Sequence, residues 1–418
     1  MSTFLALFLA APLALVPSLQ TPNAAADPRT AAAAPVGARA VLVAADGAER
    51  ALPLDGLEVA DLRAAGVYLV RIEDGSADLL PHADDAHVEL AGGEFLCGTI
   101  LGGKDERFEV RVTSGLAIVA DLEHIHALRF PKRLAGSAGV EPAPEGDRIF
   151  RVQANGVERI DGAVEGFTEG GIRFHGELVG TIAIPWRNVA ALFVEHLGSK
   201  PRERDEASMP VLLDLDDGTR LSGIFLGIRG RAIELDRRGQ KLRVPLESAL
   251  QLARDDGSIA FLSSLAPKSA ESSRPFGDDL GMVWDGRFDR NVSQAPLRAG
   301  GVRHPRGIGV HAPSRMSWAL DGSYRSLRGS VAIDDEVLRL ATRGSSVFRV
   351  LLDGREAFAS AVVRAGEPPV PFAVDLAGAR ELTLVVDATD DGFAGDRADW
   401  IGLVLARVQT ATENGSER

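Results

Sequence analysis

Apolar and polar residues alternate along most of this chain. In RAIELDRRGQKLRVP, residues 231–245, every second side chain is apolar on either side of an Arg-Gly turn. Alternation at period two, broken every few residues by Gly or Asp, predicts antiparallel strands joined by tight turns. The texture recurs three times, in stretches opening GGEFLCGTILGG, NGVERIDGAVEG and DGTRLSGIFLG. Aligning Gly98, Gly162 and Gly223 places Ala120, Pro185 and Pro245 after them by 22, 23 and 22 residues. Each copy ends in a short polar turn and a last apolar strand, and PLESAL reads as a one-turn helical link. Four or five strands in about 50 residues make a small barrel, closed or nearly so.

The unit resembles SH3-like and Sm-like barrels, a resemblance of pattern without a defining motif. The expected divisions are a β-rich region at 37–135 that includes the first copy, a second copy at 146–198 and a third at 209–262. Residues 37–80 are either a degenerate fourth copy or a strand-rich lead-in. Small barrels host many functions. The plain role is scaffolding, with cell-surface or envelope proteins as partners. EHIH sets His124 and His126 on one face of an extended segment, a spacing that suits a metal but lacks a third ligand. DLDDG, Asp214 to Gly218, lacks the spacing of a calcium loop and reads as a hairpin turn.

Composition changes at SSLAPKSAESSRPFGDD, residues 263–279, which reads as a linker. Beyond it the strands lengthen, as in RMSWALDG and SVFRVLLDGREAFASAVV, and predict a two-sheet β-sandwich over 280–408. A polar tail, 409–418, follows. The ordered set PLRAGGVRHPRGIGVHAPSRMSWALDGSYRSLRGSVAIDDEV, FRVLLDGREAFAS, VDLAGARELTLVVD and GDRADW resembles the NPCBM family. That resemblance implies a galactose-binding-like jelly roll, a carbohydrate ligand of galactose type, and the company of glycoside hydrolases. The family commonly has a histidine in GDHADW where this chain has Arg397. The fold expected for the whole is therefore all-β, with tandem small barrels ahead of a jelly-roll sandwich.

Sugar recognition needs a flat apolar face and planar polar groups. Trp284, Phe393 and Trp400 are the aromatic candidates, and His311, Arg397 and Asp399 the polar ones. Phe393 lies in a Gly- and Asp-rich loop and is expected to be exposed. Trp400 opens the last strand, where core and platform roles both remain open. Trp318 shares a face with Met316 and Leu320 and belongs to the core. His311, in GIGVHAPS, is either buried and satisfied or lines the site. GIGVHAPS and GDRADW are expected to meet in space. Asp399→Ala then costs binding if the carboxylate faces the ligand, or stability if it is buried. Asp387, Asp390, Asp391 and Asp396 are candidate ligands of a structural calcium.

Charge and the termini narrow the classes. The net charge of −13 repels phosphate backbones, so nucleic acid is not an expected partner. The single cysteine, Cys97, precludes an internal disulfide and reads as a small buried hydrophobe. MSTFLALFLAAPLALVPSLQTPNAAADP reads as an export signal cleaved after Ala26, with an uncleaved anchor as the other reading. A secreted, periplasmic or envelope protein follows. No nucleophile elbow, phosphate loop or Cys–His pairing is present, so a non-catalytic protein is expected. The other readings are a targeting module of a glycan-active enzyme, and a protein-interaction scaffold whose sandwich has lost its sugar site.

Overall fold

The computed structural model describes residues 39–44, 48–53, 57–64, 66–73, 85–195, 208–272, 274 and 283–408. The expected signal and polar tail, and part of the expected linker, lie outside these residues. Strands dominate, as the alternation predicts, and the fold is all-β. The longest α-helix described is Val59–Ala64, and no helix among the described residues is long and apolar enough to cross a membrane.

Three five-strand units share one order. In the first, Ala86–Leu90 pairs with Glu94–Lys104, which pairs with Arg107–Val112, which pairs with Ala117–Asp121. A 3-10 turn, Leu122–His124, then leads to Ile125–Arg129, which returns beside Ala86–Leu90. Asp147–Phe193 and Pro210–Arg254 repeat this course, with 3-10 turns at Trp186–Asn188 and Leu246–Ser248. Those turns start after Asp121, Pro185 and Pro245, so Asp121, and not Ala120, is the equivalent of the two prolines.

Two glycines in the long second strand of each unit explain its bend. A Cβ on Gly98, Gly162 or Gly223 would stand 2.2, 1.9 or 2.9 Å from a carbonyl oxygen of the next strand. Four residues on, Gly102, Gly166 and Gly227 have φ of 141°, 142° and 143°, and the ladder register shifts at each. A bulge there coils the strand so that one ribbon serves two walls of the unit. Inward residues such as Phe108, Phe167, Phe174 and Phe225 build one core running through all three units.

The units join through their last strands. Ile125–Arg129 pairs with Val189–Phe193, and Ala249–Arg254 pairs with Val67–Glu73 of a leading group whose other strands are Arg39–Ala44 and Glu49–Pro53. Three strands are described in this leading group, against five in each unit.

The sandwich begins earlier than expected. Ile259–Phe261 pairs with Arg397–Arg407, and Ser269–Glu271 pairs with Ser314–Ala319, one in each sheet. Leu265, inside the expected linker, accepts a 3.0 Å hydrogen bond from Trp318 Nε1. The Ser- and Pro-rich composition reflects short edge strands and turns. The first sheet runs Arg287–Phe288, Gly307–His311, Arg397–Arg407, Tyr324–Ile333, Val370–Asp375. The second runs Ser269–Glu271, Ser314–Ala319, Glu381–Ala388, Ser345–Leu352, Arg355–Ala359. Trp318, Trp400, Phe348 and Phe372 fill the space between them, with Phe348 edge-on to Trp400 at 5.2 Å.

Buried charges tie the third unit to the sandwich. Asp214, in the DLDDG hairpin, accepts from Arg220 Nε at 2.8 Å, Gln251 Nε2 at 2.9 Å and Arg306 Nε at 2.9 Å. Arg220 also reaches Asp289 at 2.8 Å, and the Arg306 guanidinium lies over Phe261 at 4.6 Å. Burial raises the Asp214 carboxyl, but Arg306 and Arg220 together hold it below the usual carboxylate range. Its neighbour Asp217 accepts from the backbone of Thr113 and Thr219 at 2.9 and 2.8 Å, which brings the first unit onto the same turn. The turn expected at DLDDG is present, and its acids are interior.

Removing one partner of a buried charged network strands the rest. Asp214→Ala is therefore expected to lower stability by about 3–5 kcal/mol, whereas Asp214→Leu with Arg306→Met should recover much of it. Denaturant unfolding of the full chain checks both, and a loss under about 1 kcal/mol for the single change would mean the network is solvated.

Candidate functional site

One end of the sandwich's first sheet gathers most of the sequence candidates. Gly307–His311 and Arg397–Arg407 are antiparallel neighbours, with Gly309 opposite Asp399 and His311 opposite Arg397. GIGVHAPS and GDRADW thus meet side by side. Close approach explains the glycine at 309, because a Cβ there would stand 2.5 Å from the Asn291 Cα. The segment carrying Asn291 lies flat against the sheet at that point.

Alternation along Arg397–Arg407 sends neighbours to opposite faces. Trp400 points into the sandwich against Phe348 and Phe372 and is fully buried. It has no face to offer a ligand, so the platform role is withdrawn for this residue.

Asp399 points the other way and is equally buried, beneath the 289–299 segment. Neither of its oxygens meets an N–H or hydroxyl donor among the described residues. Its side chain faces Asp334 instead, and burial followed by the charge of Asp334 pushes its pKa well above the usual range. A raised carboxyl favours its neutral form, whose O–H can donate to the Asp334 carboxyl it faces. Asp334 also accepts from Asn291 Nδ2 at 3.2 Å, Glu336 N at 2.8 Å and Arg298 N at 3.1 Å. The pair sits below the surface and holds the covering segment and the Asp335–Arg339 turn to the sheet. Asp399 is a supporting residue here, and the stability outcome of its replacement is the one expected.

Above that floor stand Trp284, His311 and Arg397. The Trp284 and His311 rings stack at 5.3 Å and 21°, and the Arg397 guanidinium lies 5.2 Å from the Trp284 ring centre. Arg397 Nη1 donates to Ser293 Oγ at 3.0 Å and pairs with Glu336 at 2.9 Å; Ser293 Oγ donates to Glu336 at 3.0 Å. His311 is buried, with Nδ1 at 2.7 Å from the Ala312 carbonyl oxygen. Burial lowers its pKa, the carbonyl opposes this, and the Arg397 charge lowers it further. The ring is neutral near pH 7, with the proton on Nδ1 and Nε2 as its acceptor. His311 is thus buried and satisfied at Nδ1, beside Trp284 and Arg397.

Phe393 is half-buried in its loop, where exposure was expected. The four candidate calcium ligands diverge. Asp387 pairs with Arg349 at 2.8 Å, Asp390 is exposed, and Asp391 accepts from Thr389 and from Ser345 Oγ at 2.9 Å. Asp396 turns inward to accept from Ser345 N at 3.0 Å, and burial pushes its pKa up to about 6. No group of three or more His, Cys, Asp or Glu converges as a metal site among the described residues. The four aspartates do not converge: Asp387 is taken by Arg349, Asp390 points to solvent, and Asp391 and Asp396 meet Ser345 through its hydroxyl and its N–H. The same holds for His124 and His126: His124 lies 3.5 Å from Glu123 and no third ligand joins them. Cys97 is buried, and burial pushes its thiol up to about 12.

Comparison with known proteins follows the same boundary. Residues 260–406 match the model of the NPCBM/NEW2 domain. Over 121 residues the chain is 35% identical to the alpha-1,3-galactosidase B of Akkermansia muciniphila, a stretch that is 28% of this chain and 15% of that protein. The chain thus spans a small part of this curated relative. Among solved structures it is similar to CBM51 from Clostridium perfringens GH95 in complex with methyl-galactose, at 24% identity and a TM-score of 0.31, over 35% of this chain and 99% of that one. It is also similar to the CBM51-2 and INT domains of Clostridium perfringens ZmpB, with CBM51-2 in complex with GlcNAc. There the identity is 20% and the TM-score 0.32, over 56% of this chain and 43% of that one.

Ser293 and Glu336 of the NPCBM/NEW2 segment were absent from the sequence candidates. Glu336 stands in IDDEV, just past the strand Tyr324–Ile333, and an acidic run closing a strand is the signal that marks it.

Asp399 and Asp396 both have pKa values raised by folding, so the folded state holds more protons than the unfolded one. Their stabilising contribution is complete below the unfolded carboxyl value near 4 and is lost as pH rises through the folded values. The contribution of these two groups should therefore fall from about pH 4 upward, over the window to about 6 for Asp396 and to higher pH for Asp399, against the opposite trend of His304 and His311, whose lowered values add stability as pH rises. Asp399→Asn, which keeps a donor for Asp334 without a proton to lose, should flatten that slope in calorimetric scans. An unchanged slope would show that Asp399 is ionised in the fold.

Proposed function

We propose that the NPCBM/NEW2 sandwich binds carbohydrate, of galactose type, at the Trp284 end of its first sheet, and that it does so without catalysis. The observation carrying this reading is the grouping of a half-buried indole, a neutral imidazole and a guanidinium–carboxylate pair at one strand end. An aromatic body meets the C–H face of a sugar, and planar charged groups take its paired hydroxyls. Arg397 in place of the family's histidine supplies a forked donor rather than a titrating one. The similarity to an alpha-1,3-galactosidase supports the ligand class.

The acids near this end argue for binding over turnover. Glycoside hydrolysis needs one carboxylic acid and one carboxylate held across the scissile bond. Glu336 is paired with Arg397 and Ser293, and Asp399 is sealed beneath the surface. In this reading the front units are a scaffold that carries the sandwich, and the protein works outside the cytoplasm. The second reading, a targeting module of a glycan-active enzyme, is favoured by the enzyme name of the relative.

A glycan array followed by calorimetric titration with methyl-galactoside and GlcNAc is the test. Trp284→Ala is expected to weaken binding tenfold or more, about 1.4 kcal/mol, with an unchanged melting temperature. An array blank for the wild-type chain sinks the reading in favour of a protein-contact scaffold, and reproducible turnover of chromogenic glycosides sinks the non-catalytic part.

A further inference from the structure

The run 289–293 leads from the front units to the carbohydrate site, and each of its ends is held by a different part of the chain. At the near end Asp289 Oδ2 accepts from Arg220 Nη2 at 2.8 Å, and Arg220 opens the strand Arg220–Arg229 of the third front unit. Asp289 Oδ1 accepts from Gly307 N at 3.1 Å, so one carboxylate joins that unit to the strand Gly307–His311. At the far end Ser293 Oγ donates to Glu336 at 3.0 Å and accepts from Arg397 Nη1 at 3.0 Å. The steps from 289 to 293 span at most about 14 Å when extended, so little slack separates the two ends.

Backbone preference does not hold this run on its course. Asp289 has a φ of 55°, and Gln294, just past the far end, a φ of 70°. Non-glycine residues at such angles cost energy and persist where their surroundings fix them. Asn291 fixes the middle: its Oδ1 accepts from Ser293 N at 3.1 Å and Ala295 N at 2.9 Å, and its Nδ2 reaches Asp334 at 3.2 Å. Among the described residues, Arg220 is the group outside the sandwich that bonds Asp289.

We infer that Arg220 is a positioning residue for the carbohydrate site: it holds Asp289 so that Ser293, Glu336 and Arg397 stand in their binding arrangement. This role rests on the carbohydrate reading above, and it gives the front units a part in the affinity of the site beyond carrying the sandwich. Arg220 is itself placed for the task. Asp214 takes its Nε at 2.8 Å, which leaves Nη2 directed at Asp289. Asp214 also accepts from Arg306 Nε at 2.9 Å, and Arg306 is the residue before Gly307. A guanidinium forked between two carboxylates fixes a direction that a point charge on a flexible stem does not.

Calorimetric titration of the full chain with methyl-galactoside, beside hydrogen exchange of peptides covering 289–295, tests it. Arg220→Met and Asp289→Asn should each raise the dissociation constant about fivefold or more, as when the binding arrangement falls to about one-fifth of the population. Asp289→Asn keeps an acceptor for Gly307 N and suits a left-handed backbone, so it cuts the link with little risk to the fold. The double variant should bind within about twofold of the weaker single one, because both changes remove the same pair. Exchange over 289–295 should quicken in all of these variants. Gln251→Met removes a different partner of Asp214 and leaves Asp289 alone, so it should melt lower yet bind as the wild type does. Single variants that bind within about twofold of the wild type overturn the inference, and so does unchanged exchange over 289–295. A Gln251→Met chain that binds as weakly as Arg220→Met overturns it too, since the effect is then a loss of general stability. A wild type that binds no glycan fails the carbohydrate reading itself and takes this role with it.

Discussion

The carboxylate of Asp214 collects two arginines and a glutamine where the third front unit meets the sandwich. Arg306 reaches it from the strand approach to GIGVHAPS, and Arg220 continues from it to Asp289. Asp289 in turn accepts from the Gly307 backbone at 3.1 Å. Two residues further on, Asn291 bonds Asp334, and Ser293 bonds Glu336. A single run of chain, 289–293, therefore has one end fixed by the front units and the other fixed in the candidate sugar site. Desolvated ions require such close partnering, because a lone one inside the protein costs several kcal/mol. The site's geometry depends on this anchoring as much as on the sheet beneath it.

A second buried carboxyl does comparable work without any cation. Burial, with the charge of Asp334 second, pushes the Asp399 carboxyl well above its usual range and so favours its neutral form. Asp334 beside it is held by the Asn291 amide and the backbone N–H groups of Glu336 and Arg298. The surface layer of Arg397, Glu336 and Ser293 closes on itself in the same manner. Both layers give polar groups fixed directions before any ligand arrives, which lowers the ordering cost of binding.

Sequence alone conveys the all-β class and the sandwich, because alternation is a local property, while the meeting of GIGVHAPS with GDRADW is what the NPCBM resemblance implies. It also shows that Asp399 and Trp400 face opposite ways. It does not show that both faces are covered, since the cover over Asp399 comes from a segment about a hundred residues away and obeys no period. Asp214 and Arg306 are 92 residues apart, and nothing near either announces the other. The aspartates of DATDDGFAGD resemble a ligand cluster on paper, yet Asp387 goes to Arg349, Asp390 to solvent, and Asp391 and Asp396 to Ser345 once the strands are placed. The linker reading does not hold for the described residues 263–272, for a related reason. Two- and three-residue edge strands leave no alternation to detect, and their Ser and Pro content imitates a tether.

The glycine pairs show the opposite case, where a local signal carries more than its position suggests. GTILGG, GAVEG and GIFLG each hold a glycine that admits a neighbouring carbonyl and, four residues after the landmark glycine, one at a φ near 142°. The first permits contact between strands and the second turns the strand onto the other wall, so together they specify a coiled ribbon rather than a flat sheet. That coiling is what leaves each fourth strand at the side of its unit. The front half's remaining freedom is then in how those sides are guarded: by Arg237 and Gln240, which donate to the Val119 and Ala117 carbonyls, for the first unit, by Lys241 and Arg243 for the third. Among the described residues the second unit's fourth strand, Gly180–Pro185, carries no charge and ends in a proline, so the side chains on three otherwise equivalent strands, not the fold they share, distinguish the units.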